Sequence, residues 1–198
     1  MRRLTIAVLA PGWSAGTGLS AAEVGSNPVG FPFWKPVGQW VVLLLPLGEG
    51  GFSCTALTRS PPAGPVRYSM GFALTLSATH FYLRDDALPD SVPGEIALRV
   101  DEQPVTRLKV LLHEPLKGGA LNGGKEQMLM ADLPGDLLAR QVFPAMVRGQ
   151  TLDVIIGDRD YAMPIAGFES VIVDLRQCAR LALGTEPQVA SRSRVDRN

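Results

Sequence analysis

Apolar and polar positions alternate with a period of two over much of this chain, the pattern of strands that bury one face. Phe72, Leu74 and Leu76 alternate with Ala73, Thr75 and Ser77. Ile96, Leu98 and Val100 repeat the pattern, as do Leu108, Val110 and Leu112, and later Leu152, Val154 and Ile156. The polar turn Asp101-Glu102-Gln103-Pro104 separates the second set from the third, so residues 96–112 give the strongest hairpin signal in the sequence. Gln39–Leu47 is an apolar run that predicts a strand anchored by Trp40, and the glycine turn Gly48–Gly51 folds it back onto Cys54–Leu57. Phe81–Leu83 adds a short strand. Met128–Met130 leaves strand and helix both open, while Asp136–Val142 has the length of a short helix with Asp136 as its cap. Gly157–Asp160 turns the chain after the late strand.

The period changes near the C-terminus. Phe168, Val171, Ile172, Leu175, Cys178 and Ala182 recur at three- and four-residue steps, which predicts an amphipathic helix ended by Gly184 and Pro187. Cys178 shares the face of Val171 and Leu175, so it points at the core. Residues 23–37, rich in Pro and Gly, predict an irregular lead-in, and residues 184–198, with Arg192, Arg194 and Arg197, a disordered tail. The whole predicts a mainly β fold: an antiparallel β-sandwich or curled sheet with a C-terminal amphipathic helix packed on it, forming a single domain over residues 38–183.

The chain has 198 residues, 46% of them hydrophobic, enough for one core, and its 21 Gly and 16 Pro explain why the elements are short. Nineteen basic and nineteen acidic residues cancel, so no global field recruits nucleic acid or an anionic membrane. No apolar run approaches the ~18 residues of a membrane-spanning helix, so no transmembrane anchor is expected. Met1-Arg2-Arg3, the apolar Leu4–Ala10 and the small residues Ser20-Ala21-Ala22 have the layout of a signal peptide over residues 1–22, with the mature chain starting at Glu23. No cysteine lies near that cleavage site to carry a lipid anchor. These features predict a periplasmic or secreted protein.

Two cysteines, Cys54 and Cys178, fit the same compartment. They form no C-x-x-C motif, and with His80 and His113 as the only imidazoles they make a poor metal set. In an oxidising compartment they pair as one disulfide between an early strand and the last helix, worth roughly 4–5 kcal/mol on the chain-entropy model. Two buried free thiols are the alternative.

Four short segments, in order, carry a resemblance: Trp40-Val41-Val42, Cys54-Thr55-Ala56, Arg148–Val154 (RGQTLDV) and Pro164–Ser170 (PIAGFES). Together they resemble the invasion-associated locus B family, small exported proteins of Gram-negative bacteria, most strongly over residues 142–182. The chain lacks that family's additional central cysteines, including its Gly-Cys element. The resemblance implies a β-rich fold whose last strand passes through a Gly-Phe turn into a terminal helix. It also implies a non-enzymatic role at the envelope or host interface, and it brings no catalytic residues.

Gly119–Lys125 fits the G-x-x-x-x-G-K phosphate loop, but Glu126 stands where a magnesium-binding hydroxyl belongs, so it reads as a glycine loop between strands and no cofactor is expected. His80 with Asp85 or Asp86 offers a general base for an exported hydrolase, against the plainer reading of a strand-end histidine. His113 and Glu114, as strand neighbours, point to opposite faces. Asp85, Asp86, Asp90, Asp101 and Glu102 lack the spacing of a calcium loop and read as solvated turns, so no metal is expected. Phe31, Phe33, Trp34 and Trp40, interleaved with Pro28, Pro32 and Pro36, form either an exposed recognition segment or a strap that buries its rings. The expected function is that of an exported, disulfide-stapled bacterial envelope protein. It acts without catalysis, by binding a protein or an envelope polymer or host-surface partner; the hydrolase is the alternative.

Overall fold

The computed structural model describes residues 30–47, 51–59, 68–85, 87–115 and 127–184. The signal segment 1–22, residues 23–29 of the lead-in, Asp86, the Gly119–Lys125 loop and the tail from residue 185 lie outside the described residues. Ten strands are described: β1 Trp34–Val37, β2 Trp40–Pro46, β3 Phe52–Arg59, β4 Ser69–Leu74, β5 Thr79–Asp85, β6 Glu95–Val100, β7 Thr106–Pro115, β8 Gln127–Asp132, β9 Thr151–Ile156 and β10 Arg159–Pro164. They form one antiparallel sheet in the order β1-β2-β3-β4-β5-β8-β7-β6-β9-β10. The helices are α1 Gly135–Leu137, which runs through a π-helical stretch Leu138–Val142 into α2 Phe143–Arg148, and the C-terminal α3 Phe168–Ala182. Pro144 offers no N–H to the carbonyl one turn back, and the widened π turn falls just before it.

β7 joins the two parts of the sheet. Its first residues pair with β6, with Leu108 opposite Ile96 and Thr106 opposite Leu98. From Val110 onward it pairs with β8, across a register shift between Val110 and Leu112. The expected 96–112 hairpin is therefore present, and its second strand is longer than the alternation alone implied. The sheet then bends until its last strand meets its early ones. Thr58 Oγ1 of β3 lies 3.6 Å from Met163 Sδ of β10, and the Tyr68 hydroxyl donates to the Ala162 carbonyl at 2.5 Å. The sheet stays open, with β1 and β10 as its edges.

β2 reads as an unbroken apolar run because both of its faces are buried. Val42 and Leu44 join the core, while Val41 and Leu43 are buried on the opposite face, where Trp34 of β1 stands across from Leu43. Gly71 of β4 admits the ring of Tyr82 from β5: a Cβ there would lie 2.6 Å from the Tyr82 hydroxyl and 2.1 Å from the Ala56 carbonyl. Only glycine lets strands and ring approach so closely.

Several expectations are corrected. The last four lead-in residues form β1 rather than irregular chain. Leu76 leaves the strand pattern and tips the β4–β5 turn, 78% exposed. Met128–Met130 is strand. Asp136 sits in the first turn of α1, and Pro134, not Asp136, is the N-cap. β10 escaped the alternation because Arg159, Asp160, Ala162 and Pro164 face outward around only two buried side chains, Tyr161 and Met163.

α3 spans the predicted residues and buries Phe168, Val171, Asp174, Leu175 and Cys178. Phe168 lies 5.0 Å from Trp40, 5.4 Å from Phe143 and 6.1 Å from Phe72, ring centre to ring centre. These edge-on contacts join β2, β4, α2 and α3 in one aromatic centre, each pair adding about 0.5–1.5 kcal/mol beyond burial.

Candidate functional site

Three attachments seat α3 on the sheet. Phe168 enters the aromatic centre at its N-terminal end. One turn before the end of the buried stripe, Asp174 pairs with Lys35 of β1. Cys178 is bonded to Cys54 of β3, with Cα atoms 5.8 Å apart and both residues almost wholly buried. The disulfide is thus present, and no free thiol remains.

A second fixed point lies where β6 ends and β9 begins. Asp101 adopts φ +48°, in the left-handed region. Its carboxylate accepts the Gln150 amide at 3.0 Å and the Thr151 amide at 2.9 Å, while its own N–H donates to the Thr151 carbonyl at 3.0 Å. Gly149 packs so closely that a Cβ would meet Val100 at 2.3 Å and the Asp101 carboxylate at 3.0 Å. Farther along the same strands, Arg99 grips Asp153 through two nitrogens, at 2.9 and 3.2 Å. Asp101 is therefore no simple solvated turn: it holds the Arg148–Thr151 segment in place. Beside it, Val100, Asp101, Gln103, Ala145, Arg148 and Gly149 line a hollow of about 50 Å³, room for a few waters.

A third cluster gathers around Asp85, which is buried at the end of β5 and accepts the Ala87 amide at 3.1 Å. Tyr68 and Tyr161 meet edge-on, 5.1 Å apart. Burial, then the Asp85 carboxylate, push Tyr161 up to about 12, against the opposing effect of Arg159. Burial, then Asp85 and Asp153, raise Tyr68 as well. Both phenols stay protonated through the physiological range, so they are donors and not bases. Burial likewise raises Tyr82.

The structure separates His80 from Asp85, while Asp86, the alternative partner, lies outside the described residues. Along β5, Phe81, Leu83 and Asp85 are buried on one face, while His80, Tyr82 and Arg84 occupy the other. Five residues of strand also set His80 and Asp85 roughly 16 Å apart. The carboxylate placed across from His80 is Asp132 of β8, which sequence reasoning missed because β6 and β7 come between the two strands in the chain. Among the described residues no group of His, Cys, Asp and Glu could hold a metal ion.

The aromatic segment is largely taken into the fold. Trp40 is 1% exposed in the core and Phe31 is buried. Phe33 packs against the core, and Trp34 is half-buried and stacks on Phe31. Trp40 is thus unavailable as a recognition residue, and Phe31 nearly so. Among the described residues the large apolar side chains that do stand out are Leu47, Phe52, Leu76, Val105, Leu111, Val147, Val173 and Leu183. No helix among the described residues is long and apolar enough to cross a membrane.

Comparison with protein-family models, curated proteins and solved structures yields no match to this chain.

Proposed function

We propose that this chain is an exported, disulfide-stapled protein of the bacterial envelope that acts by binding, in the periplasm or after secretion. The observation that carries the reading is the Cys54–Cys178 bond, which fastens α3 to β3. Such a bond persists in oxidising compartments and is rare in the reducing cytosol. Support comes also from the signal-like residues 1–22 and from the motifs shared with the invasion-associated locus B family. In this reading the curled sheet, with an amphipathic α3 packed on it, is a rigid body that presents its turns to a partner at the envelope or host surface.

The test is an intact mass, with and without reduction and alkylation, on protein expressed with its own N-terminus in a Gram-negative host. The expected species begins at Glu23 and alkylates only after reduction. A full-length species with two alkylatable thiols would overturn the proposal.

A further inference from the structure

β10 ends one side of the sheet, and its pairing with β9 fixes which of its backbone groups point away. Arg159 stands across from Ile156 over a two-residue turn, and in such a hairpin the residues flanking the turn exchange both backbone bonds. By alternation the backbone groups of Arg159, Tyr161 and Met163 face β9, and the Ile165 amide, bonded to the Gln150 carbonyl, continues the series. Asp160, Ala162 and Pro164 therefore direct their N–H and C=O groups outward, where a further strand would pair. A free row of this kind is a template for another chain.

Two features close the row. Pro164 has no N–H to offer. The Tyr68 hydroxyl, from the residue just before β4, donates to the Ala162 carbonyl at 2.5 Å and so takes the acceptor that a neighbouring strand's amide would use. The ring behind that hydroxyl is seated edge-on against Tyr161. At the opposite edge the Phe33 carbonyl accepts the Leu44 amide, so alternation turns Trp34 and Pro36 of β1 outward, and a proline again withholds a donor. The edges differ in one respect. The proline blocks are built into the backbone, whereas the block at Ala162 is a side chain that can swing away while the strand stays in register.

We infer that Tyr68 is an autoinhibitory latch on a strand-acceptor edge: with its hydroxyl on Ala162 the chain stays single, and with it withdrawn β10 pairs with β10 of a second copy. Two β10 strands set antiparallel about Tyr161 bring Asp160 of each opposite Ala162 of the other. Both outward N–H groups of each copy are then bonded, and the two-fold pair is closed, which favours a second copy over an open-ended array.

The test is sedimentation of the oxidised protein over a range of concentrations, with amide hydrogen exchange read residue by residue. The parent is expected to sediment as a monomer. Tyr68→Phe removes the hydroxyl and keeps the ring on Tyr161, so it should melt near the parent. It is expected to dimerise at a concentration at least about tenfold lower, the worth of one hydrogen bond. In that dimer the Asp160 and Ala162 amides should gain protection, while those of Tyr161 and Met163 are protected in both proteins. Adding Ala162→Pro to Tyr68→Phe removes an outward donor and should return the monomer. A Tyr68→Phe protein that sediments like the parent overturns the latch. So does a dimer whose Asp160 and Ala162 amides stay unprotected, or a folded double variant that still dimerises, since either places the contact elsewhere. A parent that already pairs through those two amides overturns it as well.

Discussion

Lys35 of β1 and Asp174 of α3 form an ion pair whose partners are unequally buried: the Lys35 side chain is 50% exposed and that of Asp174 only 4%. The consequences of losing either partner are therefore unequal. Lys35→Met leaves a carboxylate buried without its cation and is expected to cost about 3 kcal/mol. Asp174→Leu leaves an ammonium that reaches water and should cost much less, and the double variant should recover most of the loss. Urea denaturation of the oxidised proteins measures all three; equal losses from the two single variants would contradict this account.

Asp101 combines a left-handed backbone with a carboxylate that holds the Gln150 and Thr151 amides. Three substitutions separate these contributions. Asp101→Asn keeps one acceptor and tolerates the backbone, so it should be the mildest. Asp101→Gly relieves the backbone but frees the amides. Asp101→Ala loses the acceptor and keeps the strain, and is expected to cost about 2–3 kcal/mol. Thermal melts that rank glycine below alanine would refute the backbone contribution.

Two glycines should respond in opposite ways to an added methyl group. At Gly71 a Cβ would collide with the Ala56 carbonyl and the Tyr82 ring, so Gly71→Ala must part β3, β4 and β5 locally and should cost at least about 2 kcal/mol. At Gly94 nothing lies within 4 Å, and Gly94→Ala should stay within about 0.5 kcal/mol of the parent. Side-by-side denaturation curves test the contrast.

Alkaline stability follows from Tyr161, Tyr68 and Tyr82. All three hold their protons more tightly folded than unfolded, Tyr161 up to about 12 against an ordinary 10.0. Above pH ~10 the unfolded chain binds fewer protons than the folded one, so stability falls as pH rises from there. Below pH ~10 the three phenols leave stability unchanged with pH. Tyr161→Phe should lessen the alkaline decline, with the shares of Tyr68 and Tyr82 remaining. A decline of the same slope in Tyr161→Phe counts against this origin.

What the sequence revealed depended on the range of the forces involved. Ile96, Leu98, Leu108 and their neighbours announced a hairpin because alternation and turn lie within seventeen consecutive residues, and α3 announced itself through its three- and four-residue steps. The Cys54–Cys178 pairing was legible by elimination, since only two thiols exist. Pairings across long connections left no local trace. Nothing near His80 indicates Asp132, and nothing near Lys35 indicates Asp174. Asp101 looked like an ordinary turn carboxylate because its partners, Gln150 and Thr151, arrive from another strand. β10 was missed because an edge strand with two buried residues has too little apolar surface to set a period.

The bond between residues 54 and 178 closes a covalent ring over a separation of 124 positions. Every strand from β4 to β10 lies inside that ring, while β1 and β2 lie outside. Under tension applied at the two ends of the chain, load passes from β2 through the sulfur bridge into the last turn of α3 and bypasses the ring. Fully drawn out, the enclosed residues would add about 400 Å of contour length. The oxidised molecule withholds that length, so between two anchored points it behaves as a short, stiff tether, and reduction would turn it into an extensible one.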